Sequence, residues 1–288
     1  GRCGVKPVQV QVLSRPPIKS MKNRFKKTLF TFTLFVSLNI LFKSLVFAEK
    51  IDSFYSDVQI NKDGTVTIEE TIKYDFESSQ KHGLVRDLVF KTKNEDGKTY
   101  ITNISIISIS DDKGYQYNYS KSKTSDYIEL KIGDADKLIT GKKTYVIKYN
   151  ISGALRYFTD HDEFYWNLLG FDWNVPILKF SSLITLPANL QDSEIKYVCY
   201  EGSLGSTSQA CLINNINGKI NVNSSRLLSP SENITVAVSF PKNIVAVLEP
   251  NEDKPSIFLR AFQVLLGLGA SVWYVFFPVK YLYDSIKE

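Results

Sequence analysis

Between residues 50 and 250 the apolar side chains recur at every second position, and helical spacing is almost absent. The segment "VTIEETIKYDF" shows this most clearly. Val66, Ile68, Ile72, Tyr74 and Phe76 fall on one side, and Thr67, Glu69, Thr71, Lys73 and Asp75 on the other. Successive side chains of an extended chain point to opposite faces, so this stretch reads as a strand with one buried and one wet face. "NKDG" joins it to "IDSFYSDVQI". Gly64 can take a positive φ there, so a hairpin opens the domain. Further candidate strands span 100–109, 115–119, 127–132, 144–151, 178–186, 195–200, 210–213, 219–223 and 234–240. Many short strands between Gly, Asn, Asp and Ser turns predict an all-β fold, an antiparallel β-sandwich over residues 49–250. "TLPANLQDSE" could divide it, but one continuous unit is the simpler reading.

The ends of the chain follow other rules. Nine of the 35 Lys and Arg lie in the first 48 residues, and none of the 30 Asp and Glu do. The formal net charge of +5 therefore belongs to this leader, and the rest of the chain is mildly acidic. That removes the main support for a nucleic-acid partner. The single methionine, Met21, precedes a basic cluster (Lys22, Arg24, Lys26, Lys27), an uncharged run over 28–42 and "VFA". The order is that of a secretory signal over 21–48, cut after Ala48, with 1–20 an upstream or non-native leader. An uncleaved N-terminal anchor is the alternative. Residues 261–279 form a second uncharged stretch of nineteen, bounded by Arg260 and Lys280. About 20 apolar residues cross the hydrocarbon core, so a transmembrane helix is expected over 257–280. Trp273, Tyr274, Tyr281 and Tyr283 supply interfacial aromatics. A polar linker over 251–256 would precede the helix and a cytoplasmic tail over 281–288 would follow it. The body is thereby placed on the extracytoplasmic side of the plasma membrane.

Cys199 and Cys211 flank the Gly- and Ser-rich "YEGSLGSTSQA". A disulfide closing so short a loop adds about 3 kcal/mol, and an oxidising compartment permits it. No second Cys or His pair accompanies them, so a zinc site has no support.

Two clusters of titratable residues stand out. Glu70 lies on the apolar face of its strand, between Ile68 and Ile72, where a carboxylate needs a partner. "KHGLVRD" supplies Arg86 and His82 nearby, and a structural Glu70–Arg86 pair is the expectation. A catalytic carboxylate, or a bulge that turns Glu70 to solvent, is the alternative. The second cluster is "RYFTDHDEFYWN", followed by "LLGFDWN". Asp160, Asp162, Glu163 and Asp172, with Trp166 and Trp173, could form a carbohydrate-binding or carbohydrate-processing surface. The same acids could bind calcium, although their spacing fits no EF-hand loop. The plainer reading is a turn of solvated acids leading into a buried aromatic strand. No nucleophile elbow, P-loop or dinucleotide fingerprint occurs, so no enzyme activity, cofactor or metal is expected. Asn-x-Ser/Thr sequons stand at Asn103, Asn118, Asn150, Asn223 and Asn233.

Taken in order, "DVQINKDGTVTIEETIKYDF", "HGLVRD", "YVIKYNISGALRYFTDHDEFYWNLLGFDWNVPI", "TLP", "CYEGSLGSTSQAC" and "LLSPSENITVAVSFPKNIV" resemble the YciQ-like predicted membrane proteins. The exported part of that family is domain of unknown function 2207. The resemblance spans about residues 51–245. It implies a signal peptide, an extracytoplasmic β domain and membrane helices, and it supplies no catalytic residues. Such proteins continue into further membrane segments, so this chain is expected to be an N-terminal part. The function expected is that of a membrane-anchored cell-envelope protein whose β domain binds an envelope protein or glycan partner.

Overall fold

The computed structural model describes residues 49–93, 99–170, 173–248, 251–252 and 257–287. All of them lie in one of the chain's two units, Ala48–Glu288. The expected leader and signal peptide (1–48), Asp172 and linker residues 253–256 fall outside the described residues.

In chain order the strands begin with β1 (Lys50–Ile60), β2 (Val66–Asp75), β3 (Gly83–Val89), β4 (Lys91–Lys93), β5 (Thr99–Ile101) and β6 (Asn103–Ser110). Next come β7 (Tyr119–Lys123), β8 (Tyr127–Gly133), β9 (Lys142–Ser152), β10 (Leu155–Tyr157), β11 (His161–Asn167) and β12 (Phe180–Thr185). The last are β13 (Lys196–Gly202), β14 (Leu212–Ile216), β15 (Lys219–Asn223), β16 (Asn233–Pro241) and β17 (Asn251–Glu252). The domain is all-β, but it is not a simple pair of antiparallel sheets. One seven-stranded sheet has the order β14-β15-β12-β1-β2-β9-β6. A four-stranded sheet, β10-β11-β16-β13, and two three-stranded sheets, β17-β5-β4 and β3-β8-β7, complete it.

The opening hairpin forms where the pattern places it. Asn61 N–H bonds the Thr65 carbonyl (2.9 Å), and Asp63 Oδ1 accepts from Thr65 N–H (3.0 Å) and its hydroxyl (2.7 Å). Gly64 sits at φ 83°, and a Cβ there would lie 2.4 Å from the Ala246 carbonyl oxygen. Only glycine meets both demands. Along β2 every apolar residue of the alternation is buried, as are the facing rows of β1 and β9. β1 then departs from the antiparallel expectation. It runs parallel to β12, with Phe54 opposite Phe180 and Val58 opposite Ile184. Parallel neighbours cannot be joined by a hairpin, so the intervening strands make the crossover.

The inner faces share one continuous core, from Ile51 and Phe54 on β1 to Val236 and Phe240 on β16. Cys199 on β13 and Cys211 beside β14 are joined by a disulfide, which ties the four-stranded sheet to an edge of the seven-stranded one. Several strands lie where the pattern is silent. β3 occupies "GLVRDLV", where no strand was expected, and β7 covers the fully exposed "YSKSK" in place of the expected 115–119. Neither follows a clean apolar alternation, so period two could not find them. Asn251–Glu252, expected as linker, pair with Ile101 and Tyr100.

Beyond residue 256 lie α1 (Ile257–Ser271), a π-helical turn (Val272–Phe276) and α2 (Phe277–Lys287). The expected single helix over 257–280 is thus divided, and α2 continues through the expected tail. Pro278 has no N–H to return to the preceding turn, and that turn winds as π. The backbone stays helical across both junctions, at φ −63°, ψ −42° for Ser271 and φ −66°, ψ −46° for Phe277. Among the described residues no helix is long and apolar enough to cross a membrane.

Candidate functional site

The polar centre of the domain is Glu70, whose side chain is 0% exposed against 4% for Arg86. Arg86 Nε donates to Glu70 Oε2 (2.8 Å) and Nη2 to Oε1 (2.6 Å), a bidentate pair, and the Tyr149 hydroxyl donates to Oε1 (2.6 Å). The outer guanidinium nitrogen, Nη1, donates to the carbonyls of Leu169 (2.8 Å) and Asp87 (3.0 Å). Burial pushes the Tyr149 phenol well above its usual range, and the neighbouring Glu70 carboxylate adds to this. The "LLG" loop after β11 is held from both sides. Asn233 Oδ1 accepts the N–H groups of Leu169 and Gly170 (3.1 Å each), and Trp173 Nε1 donates to the Leu169 carbonyl (3.0 Å). Gly170, at φ 77°, leaves room for Arg86, since a Cβ there would stand 3.1 Å from Nη1. Asn233 is therefore a buried loop cap, and its sequon is closed in the folded protein.

Above this clamp opens a cleft of about 290 Å³. It is lined by Tyr74 near the end of β2 and Phe76 just after it, by Gly83, Leu84, Arg86 and Asp87 of β3, and by Trp173. Glu49, Lys81, Val85 and Asn174 complete the rim. The Tyr74 and Phe76 rings lie 4.3 Å apart, and Phe54 meets Trp173 edge-on at 5.9 Å. The Tyr74 hydroxyl donates to Glu49 Oε2 (2.8 Å), and Lys81 Nζ lies 3.0 Å from Oε1. Burial raises the Glu49 pKa, but hydrogen bonds from Tyr74, Lys81 and Ser79 outweigh it and hold the carboxyl below its usual range. Burial and the Glu49 bond both push the Tyr74 phenol up. Beside the mouth, Asp75 is flanked by Lys50 and Lys142, each at 3.6 Å; Lys50 also pairs with Glu77, and Lys142 with Asp52. The lining offers an apolar aromatic floor and charges of both signs at the rim. Among the described residues the lining includes no His, Cys, Ser or Thr.

The acids of the second cluster do not converge. Asp162 and Glu163 lie in β11 itself, where alternation sends them to opposite faces. Asp162 is buried and paired with Lys242 (2.6 Å). Glu163 faces the other way, toward Arg156 (3.7 Å) and Ser239 (3.4 Å). Asp160 is exposed beside His161 (2.7 Å). Among the described residues no three His, Cys, Asp or Glu side chains are grouped to hold a metal ion. Trp173 is buried against Phe54 and Arg86, and Trp166 is partly buried near Phe164 (6.4 Å). The two indoles form no shared platform for a sugar. Of the cleft residues, only Arg86 and Trp173 were singled out as candidates from the sequence. Lys81 and Asp87 stood in the quoted "KHGLVRD" and Tyr74 was read only as part of the apolar row of its strand, while Glu49 carried no signal.

Residues 50–240 match the family model described as predicted membrane protein (DUF2207) N-terminal domain. Comparison with curated proteins finds no match. Among solved structures, an M1 zinc metallopeptidase from Deinococcus radiodurans is similar at 10% identity and TM-score 0.37, over 66% of this chain and 42% of that one. Leukotriene A4 hydrolase from Saccharomyces cerevisiae is similar at 10% identity and TM-score 0.43, over 67% of this chain and 29% of that one. This chain spans less than half the length of either, and likeness at this level carries no activity over.

Proposed function

The chain belongs to the predicted membrane protein family DUF2207, and from that premise we propose that it is a membrane-anchored envelope protein whose β domain binds a partner in the Tyr74–Trp173 cleft. The observation that carries the reading is the cleft itself, an aromatic floor rimmed by Glu49, Lys81 and Asp87. Such a surface suits a segment with an apolar body and a charged end, a peptide side chain or a capped glycan among them. Anchoring is supported by the helical run through α1, the π turn and α2. Its Leu265, Leu266, Trp273, Phe276 and Val279 side chains are all exposed, and a helix apolar on every side needs an apolar surrounding. The Cys199–Cys211 disulfide supports a position outside the cytoplasm. The role is binding rather than catalysis.

The test is a pull-down of envelope proteins and glycans with the detergent-solubilised full chain, beside Lys81→Glu and Val85→Arg at the cleft rim. Both are surface changes, so the fold should survive. The wild type is expected to retain a component that both variants lose. Equal retention by all three would refute the cleft as the binding site.

A further inference from the structure

The strand register sets the two chain ends of the β domain far apart. At one end of the seven-stranded sheet Lys50 faces Asp75, and Asp75 faces Lys142. The cleft residues Glu49 and Tyr74 stand here. At the other end Ile60 faces Val66, Val66 faces Ile151, and Ile151 faces Ile104. β1 runs the whole way, and its eleven residues span about 33 Å at ~3.3 Å each.

The C-terminal segment returns to the second end and is fastened there. Lys242 pairs with buried Asp162 (2.6 Å), and Ala246 N–H donates to the Lys62 carbonyl (2.8 Å). The Tyr157 hydroxyl donates to the Ala246 carbonyl (3.2 Å) and accepts from Leu248 N–H (3.1 Å). Asn251 and Glu252 then pair with Ile101 and Tyr100, just before β6 begins opposite Ser152. The apolar helix starts at Ile257, so at most ~17 Å of extended chain separates it from this end. The same end exposes Phe158 (44%) and Val247 (59%), with Lys62 in the hairpin turn. Of its acids, Asp63 is engaged by Thr65 and Asp160 by His161.

We propose that this end of the domain rests on the lipid headgroup layer. Phe158 and Val247 enter the interface, and Lys62 meets lipid phosphate. An apolar side chain beside a cation is the composition that headgroup regions favour. The cleft then opens about 30 Å from the bilayer, one β1 length away, and receives its partner from the aqueous side. The inference rests on the anchoring reading.

The experiment uses the full chain with Cys3→Ser, reconstituted in phosphatidylcholine/phosphatidylglycerol vesicles. It carries a fluorophore at Phe158→Cys or, near the cleft end, at Lys137→Cys. Ile139, close to Lys137, bridges to Lys81 of the cleft. Headgroup-attached nitroxide in both leaflets is expected to quench the label at 158 several-fold more than the label at 137. Equal quenching, or stronger quenching at 137, overturns the orientation. Vesicle flotation separates the two readings. Protein that floats with equal quenching sinks the orientation alone, and protein that does not float sinks anchoring and orientation together. Non-reducing mass analysis showing the intact Cys199–Cys211 bridge confirms that each labelled chain is folded.

Discussion

A carboxylate with no exposed surface is tolerated only while its partners remain. Removing Arg86 leaves Glu70 with the Tyr149 hydroxyl alone, so Arg86→Met should cost about 3–5 kcal/mol. Glu70→Leu combined with Arg86→Met should cost clearly less, because no charge is then stranded and the Leu169 carbonyl keeps its bond from Trp173. Denaturant titration of both variants checks the pair. Equal costs would place the energy elsewhere. Titration of the rim follows from two depressed pKa values. Glu49 lies below its ordinary 4.5 and Asp75 below its ordinary 3.8. For Asp75, burial acts upward and is outweighed by the Glu77 N–H bond and by Lys50 and Lys142. The stability each contributes is full above the ordinary value and is lost as the pH falls through the lower folded value. The melting temperature should be flat down to about pH 5 and decline below it, and Glu49→Gln with Asp75→Asn should flatten that decline. The need of Glu70 for a partner was readable, since alternation put it among isoleucines and "HGLVRD" held a guanidinium. Its second partner was not. Tyr149 lies on β9, and nothing local says that β9 neighbours β2.

Strands with clean alternation declare themselves, and those that lean on others do not. β2 and β9 were evident because each buries a full row. β3 was missed because Gly83, Arg86 and Asp87 interrupt its apolar row, and the tertiary clamp decides its state. β11 was foreseen as an aromatic strand, but its acids were placed in the turn before it. Within a strand, Asp162 and Glu163 part company by geometry alone. The disulfide was legible from two cysteines around a Gly- and Ser-rich loop. Its role in joining two sheets was not. Replacing both cysteines with Ser should lower stability by about 3 kcal/mol and open the exposed loop around Leu204 to protease, read by denaturant midpoint and cleavage mapping. Gly64→Ala combines an unfavourable φ with a contact against the Ala246 carbonyl. It should cost more than about 1 kcal/mol and speed hydrogen exchange at the Ala246 amide. Unchanged exchange there would mean that the strap does not depend on the turn.

At the scale of the molecule, three buried phenols guard the alkaline side. Burial raises the pKa of Tyr74, Tyr145 and Tyr149 above the ordinary 10.0. A raised folded value keeps its stability below the unfolded pKa and loses it as the pH climbs toward the folded one. Stability should therefore hold to about pH 10 and fall beyond it, with these tyrosines ionising only as the protein unfolds. Absorbance near the phenolate band, followed alongside circular dichroism, checks this. The all-β class was written in the period-two pattern. The division into four sheets was not, because strand order depends on contacts between residues far apart in the chain. The parallel seam between β1 and β12 also sets a schedule. The ribosome makes β1 early, but its second neighbour begins only at Phe180. At ~5–20 residues per second the wait is on the order of 10 s. For that interval the nascent hairpin carries a bare strand edge along Phe54 and Val58, and the seven-stranded sheet can close only after well over half of the chain has been made.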